Sequence, residues 1–199
     1  MKIIDLLKLR RSQYDLTAVS ALDRKTLLER LASVIEQSPT GFNSQSSRIV
    51  VLYDGRHEEF WNLVLQGIDK EIGHDAAAFE KSRQKIAGLS RSAGTILFFE
   101  NEKINSDLKD KFPLYAANIS VWAEQSQGML QLAVWTMLAE AGMGASLQHY
   151  AELVAPKLQT MLSLDPDWRL VAQMPFGIPN SHPAPKAKVP GTDRVIVLE

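Results

Sequence analysis

The stretch Gln127–Ala141 (QGMLQLAVWTMLAEA) constrains the fold more than any other part of the chain. Its spacing predicts a helix with apolar residues on nearly every side, interrupted inside the run by Gln131, Thr136 and Glu140. A helix that is apolar all round has to be covered all round. Such a helix lies either at the centre of a domain or in the seam of a homodimer, and the pattern alone leaves both open. At 199 residues the chain suits one domain, residues 1–199, and it shows neither an internal repeat nor a linker long enough to divide it.

Around that helix the sequence predicts alternating helices and short strands. Ile3–Leu9 has helical spacing and ends in Arg10 and Arg11. Asp23 is an expected N-cap for a second helix with Leu27, Leu28, Leu31, Val34 and Ile35 on one face, stopped by Pro39. Helices are also expected over Glu58–Ile72, Ala76–Leu89, Ser106–Phe112 and Glu152–Leu162, with a separate segment running from Pro113 towards Glu124. The β-branched and aromatic runs Arg48–Tyr53, Gly94–Glu100 and Trp168–Met174 predict strands. A final strand is expected at Arg194–Leu198, after the Pro-rich stretch Pro175–Pro190, paired with a sheet in this chain or in a partner chain. Strands interleaved with helices imply an α+β or α/β fold with helices packed on one sheet.

Several functional classes are excluded early. A formal net charge of -1 gives no overall field to hold nucleic acid or an anionic membrane, so an anion site must be local. With no cysteine there are no disulfides, thiolate nucleophiles or cysteine metal ligands, and a cytoplasmic setting is expected. The N-terminus lacks a secretory pattern, and no apolar run of about 18 residues predicts a membrane span. His57, His74, His149 and His182 are scattered, so no metal site is expected. Gly142-Met143-Gly144 is only part of a dinucleotide fingerprint, and no phosphate-binding P-loop or nucleophile elbow is present.

What remains is anion chemistry at the two ends of the chain. Arg10, Arg11 and Ser12 place two guanidinium forks beside a hydroxyl, suited to bidentate phosphate binding and equally to a solvated helix end. Lys186 and Lys188 project to one side of an extended segment. Asn43, Ser44 and Gln45 offer uncharged donors and acceptors, either for a heterocycle edge or as an ordinary turn.

Six ordered segments carry a family likeness: Arg10-Arg11-Ser12, Ser38–Arg48 (SPTGFNSQSSR), GTILFFE at Gly94, GMLQLAVW at Gly128, GMGASLQHY from Gly142 and AQMPFG from Ala172. From about residue 8 to residue 195 the chain resembles the nitroreductase family of FMN-dependent oxidoreductases, and within it a small subgroup of fungi and Gram-positive bacteria. The resemblance implies an α+β nitroreductase-like fold, a central mostly antiparallel sheet flanked by helices, and a homodimer in which the C-terminal strand crosses to the partner. It places Gln127–Ala141 in the dimer seam. It also implies FMN held at the phosphate and ring edge by Arg10, Arg11 and Ser12, with Tyr14 as a further contact.

On the same likeness, Asn43 and Gln45 reach the cofactor of the partner subunit, and Leu147, Gln148 and His149 present backbone groups to the ring. Lys186 and Lys188 match a C-terminal basic pair at the phosphate, and Lys85 a cation beside the ring's pyrimidine edge. No catalytic side chain is expected, because the cofactor carries the electron chemistry. The implied activity is a two-step, ping-pong reduction of nitroaromatic or quinone-type acceptors by NADH or NADPH, with redox or metal stress defence as the implied role; the alternative is a flavin-binding sensor with little turnover. Larger family members carry Glu-Gly where this chain has His149 and Tyr150, so their nicotinamide preference and pocket do not transfer.

Overall fold

A computed structural model describes residues 2–198 of the chain, so the outermost residues of the expected 1–199 domain lie outside the described residues. In strand β2 (Gly94–Asn101), Ile96 and Phe98 alternate with Leu97 and Phe99, and all four are fully buried. Successive side chains of a strand face opposite ways, so both faces of this sheet must be covered. Strands β1 (Ser47–Leu52), β2, β3 (Gly144–Ala145) and β4 (Trp168–Gly177) form one antiparallel sheet in the order β1-β2-β4-β3. Helices cover both faces, which gives the α+β fold expected from the sequence.

On one face, Leu27 and Leu31 of α2 (Arg24–Gln37) and Leu130, Val134 and Leu138 of α6 (Ala116–Glu140) pack on Ile96, Phe98, Ala172 and Met174. On the other, Phe60, Trp61 and Val64 of α3 (Asp54–Ile72), Ile86 and Leu89 of α4 (Ala76–Ser90) and Val154 and Leu158 of α7 (Ala151–Leu162) pack on Leu97, Phe99 and Leu170. Two shorter helices, α1 (Ile3–Leu9) and α5 (Glu102–Lys111), complete the set among the described residues. Asp23 caps α2 as expected, accepting from the Thr26 amide at 2.9 Å and the Thr26 hydroxyl at 2.7 Å. Asn101 caps α5, which is why that helix begins ahead of the expected Ser106.

Three expectations are corrected. The segment after Pro113 is not separate: a 3-10 turn at Pro113–Tyr115 leads straight into α6, one continuous helix of 25 residues, about 37 Å long. It packs against the sheet and against α2, yet Val121, Met129 and Leu132 stay open to solvent. Leu28 is 52% exposed rather than on the buried face of α2, because the helical rotation that buries Leu27 and Leu31 turns it outward. The expected strand at Arg194–Leu198 is absent from the single chain: Gly191–Arg194 forms a 3-10 turn, and Val195 to Leu198 are exposed without a ladder partner among the described residues. Strand-forming residues make a strand only where another backbone supplies the matching donors and acceptors.

Candidate functional site

Both ends of the chain are joined at the β3 edge of the sheet. Ser12 bridges Ala145 in parallel, and the Gln13 amide donates to the Ala145 carbonyl at 2.9 Å. Beyond it, Thr17 donates to Ile178 at 2.8 Å, Ile178 to Val19 at 2.8 Å, and the Asn180 side chain to Asp15 at 2.8 Å. At Gly177 the approach is close enough to require glycine, since a Cβ there would lie 2.3 Å from the Thr17 carbonyl oxygen, while one on Gly144 would lie 2.8 Å from the end of the Leu16 side chain, which would have to shift. A guanidinium nitrogen of Arg11 donates to the Ala184 carbonyl at 2.9 Å, which brings the segment bearing the exposed Lys186 and Lys188 to the Arg10–Ser12 step.

The two arginines are electrostatically unfinished. Both are half-buried and adjacent, and among the described residues neither has an ion pair. Arg10 lies over the Trp135 ring, 4.4 Å from its centroid, and its Nε is buried without a hydrogen-bond partner. Burial, and then repulsion from Arg11, holds its pKa below the ordinary guanidinium value. Two neighbouring cations taken partly out of water favour an anion that accepts from both. Gln13 Oε1 and Gln173 Nε2 are further buried polar atoms without partners along this edge.

The Leu147–His149 segment continues the edge. The Gln148 amide donates to the Gln173 carbonyl at 2.7 Å, and Gln173 returns the bond at 3.0 Å. The backbone of Gln148 is thus paired with β4, and its buried side chain donates to Ser146 at 3.1 Å. In an antiparallel pair the neighbouring residues face the other way. The backbone groups of Leu147 and His149 therefore point away from β4. Tyr150 donates its amide to Gln173 Oε1 at 2.8 Å, and Lys85 of α4 sits 5.3 Å from the Tyr150 ring centroid. Lys85 also shares a recess of about 550 Å³ with Tyr14, Asp15, Gln84 and Arg91. The structure thus gathers Arg10, Arg11, Ser12, Tyr14, Lys85, Leu147, His149 and the Lys186–Lys188 segment around one edge.

Asn43 and Gln45 lie elsewhere. Their loop enters β1 at Ser47, opposite Glu100, whereas Ser12 meets Ala145, itself opposite Phe176, which is opposite Gly94. The two places are about 20 Å apart along the strands and on opposite edges of the sheet. No side chain of this chain's loop spans that distance. The loop is also strained, because Phe42, Asn43 and Gln45 all have left-handed φ, from 50° to 53°. Such residues cost about 1–3 kcal/mol each and persist where surrounding contacts impose them. Phe42 stacks on Phe112 with centroids 4.6 Å apart, and Tyr115 and Trp122 close the cluster.

Sequence reasoning missed Trp135, Gln173 and this aromatic cluster. Gln173, a lone amide inside the strand run Trp168–Met174, was the available signal, since a buried amide needs partners. Among the described residues no group of acidic, histidine or cysteine side chains fits a metal ion, and no helix is long and apolar enough to cross a membrane.

Comparison with known proteins identifies the family. The family model described as the nitroreductase family matches residues 7–178. HBN1 of Saccharomyces cerevisiae is 30% identical over 157 residues, which is 79% of this chain and 76% of that protein. Nitroreductase CinD from Lactococcus lactis, solved in complex with 4-nitrophenol, is 32% identical, with all of both chains covered and a TM-score of 0.90. A protein from Desulfovibrio desulfuricans, solved in complex with FMN, shares the fold at 15% identity, covering all of this chain and 98% of its own, with a TM-score of 0.71. The chain belongs to the nitroreductase family and is a nitroreductase-type oxidoreductase.

Proposed function

We propose that this chain is an FMN-dependent NAD(P)H oxidoreductase that reduces nitroaromatic or quinone-type acceptors as a cytoplasmic homodimer, with residues 1–199 acting as one FMN-binding domain. The observation that carries the reading is the unpaired, half-buried Arg10–Arg11 step beside Ser12. A phosphate monoester is the anion that such a donor set fits, because it accepts from both forks and the hydroxyl together. The buried, partnerless Arg10 Nε is what a cofactor bound there would satisfy.

When bound, FMN supplies reversible two-electron chemistry, so the chain needs no nucleophile of its own. Arg10, Arg11 and Ser12 hold the phosphate, with Lys186 and Lys188 closing over it from the C-terminal segment. The outward backbone groups of Leu147 and His149 orient the ring, Lys85 sets a positive charge beside its pyrimidine edge, and Tyr14 borders the same recess. Asn43 and Gln45 serve the site of a second copy, since they cannot reach their own. That division of labour supports the dimer, as do the open apolar side chains Val121, Met129 and Leu132 on α6 and Val195–Leu198 at the C-terminus. The C-terminal segment crosses to the partner and gains there the ladder it lacks in a single chain. The aromatic cluster around Phe42 forms a wall for a flat acceptor, consistent with the 4-nitrophenol bound by the similar CinD.

A flavin held by these residues would take electrons from NAD(P)H and pass them to the acceptor in turn, and a role in redox or metal stress defence fits such acceptors. Initial velocities measured against both substrates are expected to give parallel lines. Intersecting lines, with no bleaching of the bound cofactor by either nicotinamide, would overturn the mechanism. Bleaching far slower than any acceptor turnover would favour a flavin-binding sensor instead.

A further inference from the structure

The loop that carries Asn43 and Gln45 ends on a buried carboxyl group. Glu100, at the end of β2, is 0% exposed, yet among the described residues it has no ion pair. Arg169 lies opposite it in the ladder but directs its guanidinium to Glu102 and Glu124. The partners of Glu100 are two neutral amides: Asn105 donates to Oε1 at 3.0 Å, and Gln127 donates to Oε2 at 2.7 Å. Burying a carboxyl group with only neutral donors is unfavourable for folding, so it is retained where it fixes something.

What it fixes is visible in the other bonds of Gln127. The same Nε2 lies 3.1 Å from Ser47 Oγ and 2.9 Å from the Phe99 carbonyl oxygen, while Gln127 Oε1 has no partner. Glu100 and the Phe99 carbonyl, both acceptors, therefore set which end of the Gln127 amide faces the sheet, and that end donates to Ser47, the first residue after the loop. One residue earlier, the Ser46 carbonyl accepts from the Asn101 amide at 3.0 Å. The loop's bonds are mostly short-range: Asn43 to Thr40 and Ser44 to Gly41 at 3.0 Å, the Gln45 amide to the Thr40 hydroxyl at 3.1 Å, the Ser44 and Ser46 hydroxyls to each other at 3.1 Å, the Gln45 side chain to the Asn43 carbonyl at 3.5 Å, and Arg48 to the Gln45 carbonyl at 2.8 Å. Three left-handed residues held mainly by bonds within the loop need a rigid base.

We propose that Glu100 is a positioning residue for the loop Thr40–Ser46. Through Gln127 and Ser47 it ties the base of the loop to α6, and so holds Asn43 and Gln45 in the conformation in which they are offered to a second copy. The tie is independent of any ligand; its use in the cofactor site rests on the reading above.

Glu100→Gln tests the tie atom by atom. It removes the carboxylate that accepts from Gln127 Nε2, leaving the Phe99 carbonyl as the acceptor that holds the Gln127 amide, and so loosens the link to Ser47. Ser47→Ala breaks the same link from the loop side and leaves Glu100 paired. Hydrogen exchange on the full chain is expected to quicken about tenfold at the amides of residues 43–45 in each variant, with β2 amides at Leu97–Phe99 unchanged. The double variant is expected to show no more than either single one. In cofactor-loaded protein, kcat/KM for the acceptor falls while Tm stays near that of the unchanged chain.

Unchanged loop exchange in both variants would overturn the proposal, as would effects that multiply or a parallel quickening of β2. Should Glu100→Gln fail to fold, Ser47→Ala decides alone by the same criterion. If the unchanged chain binds no flavin, the cofactor reading falls while the exchange result still decides the tie.

Discussion

The joined chain ends and the Thr40–Ser46 loop occupy opposite corners of one sheet, and they are unfinished in opposite ways. At the joined ends the backbone is fully employed: Gln13, Thr17, Ile178 and Asn180 all find main-chain partners, and Gly144 and Gly177 allow the close approach. What is left over is charge, in Arg10 and Arg11. At the loop the charge is absent and the strain lies in the backbone, at Phe42, Asn43 and Gln45. The first corner is a frame of paired backbone that carries two cations, and the second is a strained, uncharged loop. Both are what a site completed by a small ligand and a second copy would show.

The largest effect is expected at the charged corner. Removing one half-buried donor fork by Arg10→Ala is expected to weaken FMN binding about 30-fold, with Arg11→Ala milder because Arg11 also spends a donor on Ala184. Equilibrium titration of flavin fluorescence checks the order, and equal losses would blur the distinction drawn between the two arginines. Next comes the frame itself. Gly177→Ala would set a methyl against the Thr17 carbonyl and is expected to lower stability by about 1–3 kcal/mol, read by denaturant unfolding, whereas Gly128→Ala, with open space around it, is expected to stay near neutral or gain.

A smaller effect of opposite sign is expected at the strained corner. Gln45→Gly relieves a left-handed φ and is expected to raise stability by about 1 kcal/mol while lowering kcat/KM for the acceptor. Loss of both together would mean that the loop is an ordinary structural turn. The smallest effect concerns the start of β2, next to the joined ends. His57 is buried between the Thr95 hydroxyl and the Ser90 carbonyl, each at 2.9 Å, and Trp61 donates to the same Thr95. Burial, partly opposed by the Ser90 hydrogen bond, holds its pKa below the ordinary 6.5. The unfolded chain then binds the proton more readily, so stability from this group is full above 6.5 and is lost as pH falls through the lower folded value. Tm measured from about pH 8 down to pH 5 should fall less steeply in His57→Asn than in the unchanged chain; equal slopes would remove His57 from the account.

The sequence exposed these corners unevenly. The paired guanidiniums of Arg10 and Arg11 are legible as either an anion site or a solvated helix end, whereas the β-branched runs predict the three long strands because burial leaves a continuous apolar signature. The joining of the ends depends on contacts across about 165 residues between Asp15 and Asn180, which no local pattern encodes. The pairing of the Gln148 backbone with Gln173 was hidden for a similar reason, since spacing cannot show a bridge. The terminal run RVIVL has strand composition without a strand partner in its own chain, so composition alone placed it in a ladder. Glu100 sits inside an apolar run that predicts a strand end, and its burial follows only from where α5 and α6 come to rest.

The most direct test of the central claim is the visible absorption spectrum of the purified protein, with the bound cofactor released and identified, followed by anaerobic addition of NADH and then NADPH. A yellow protein holding FMN that bleaches rapidly with one of them is the predicted result. A colourless protein that cannot be loaded with FMN would contradict it, leaving the family fold without the cofactor site assigned to Arg10, Arg11 and Ser12.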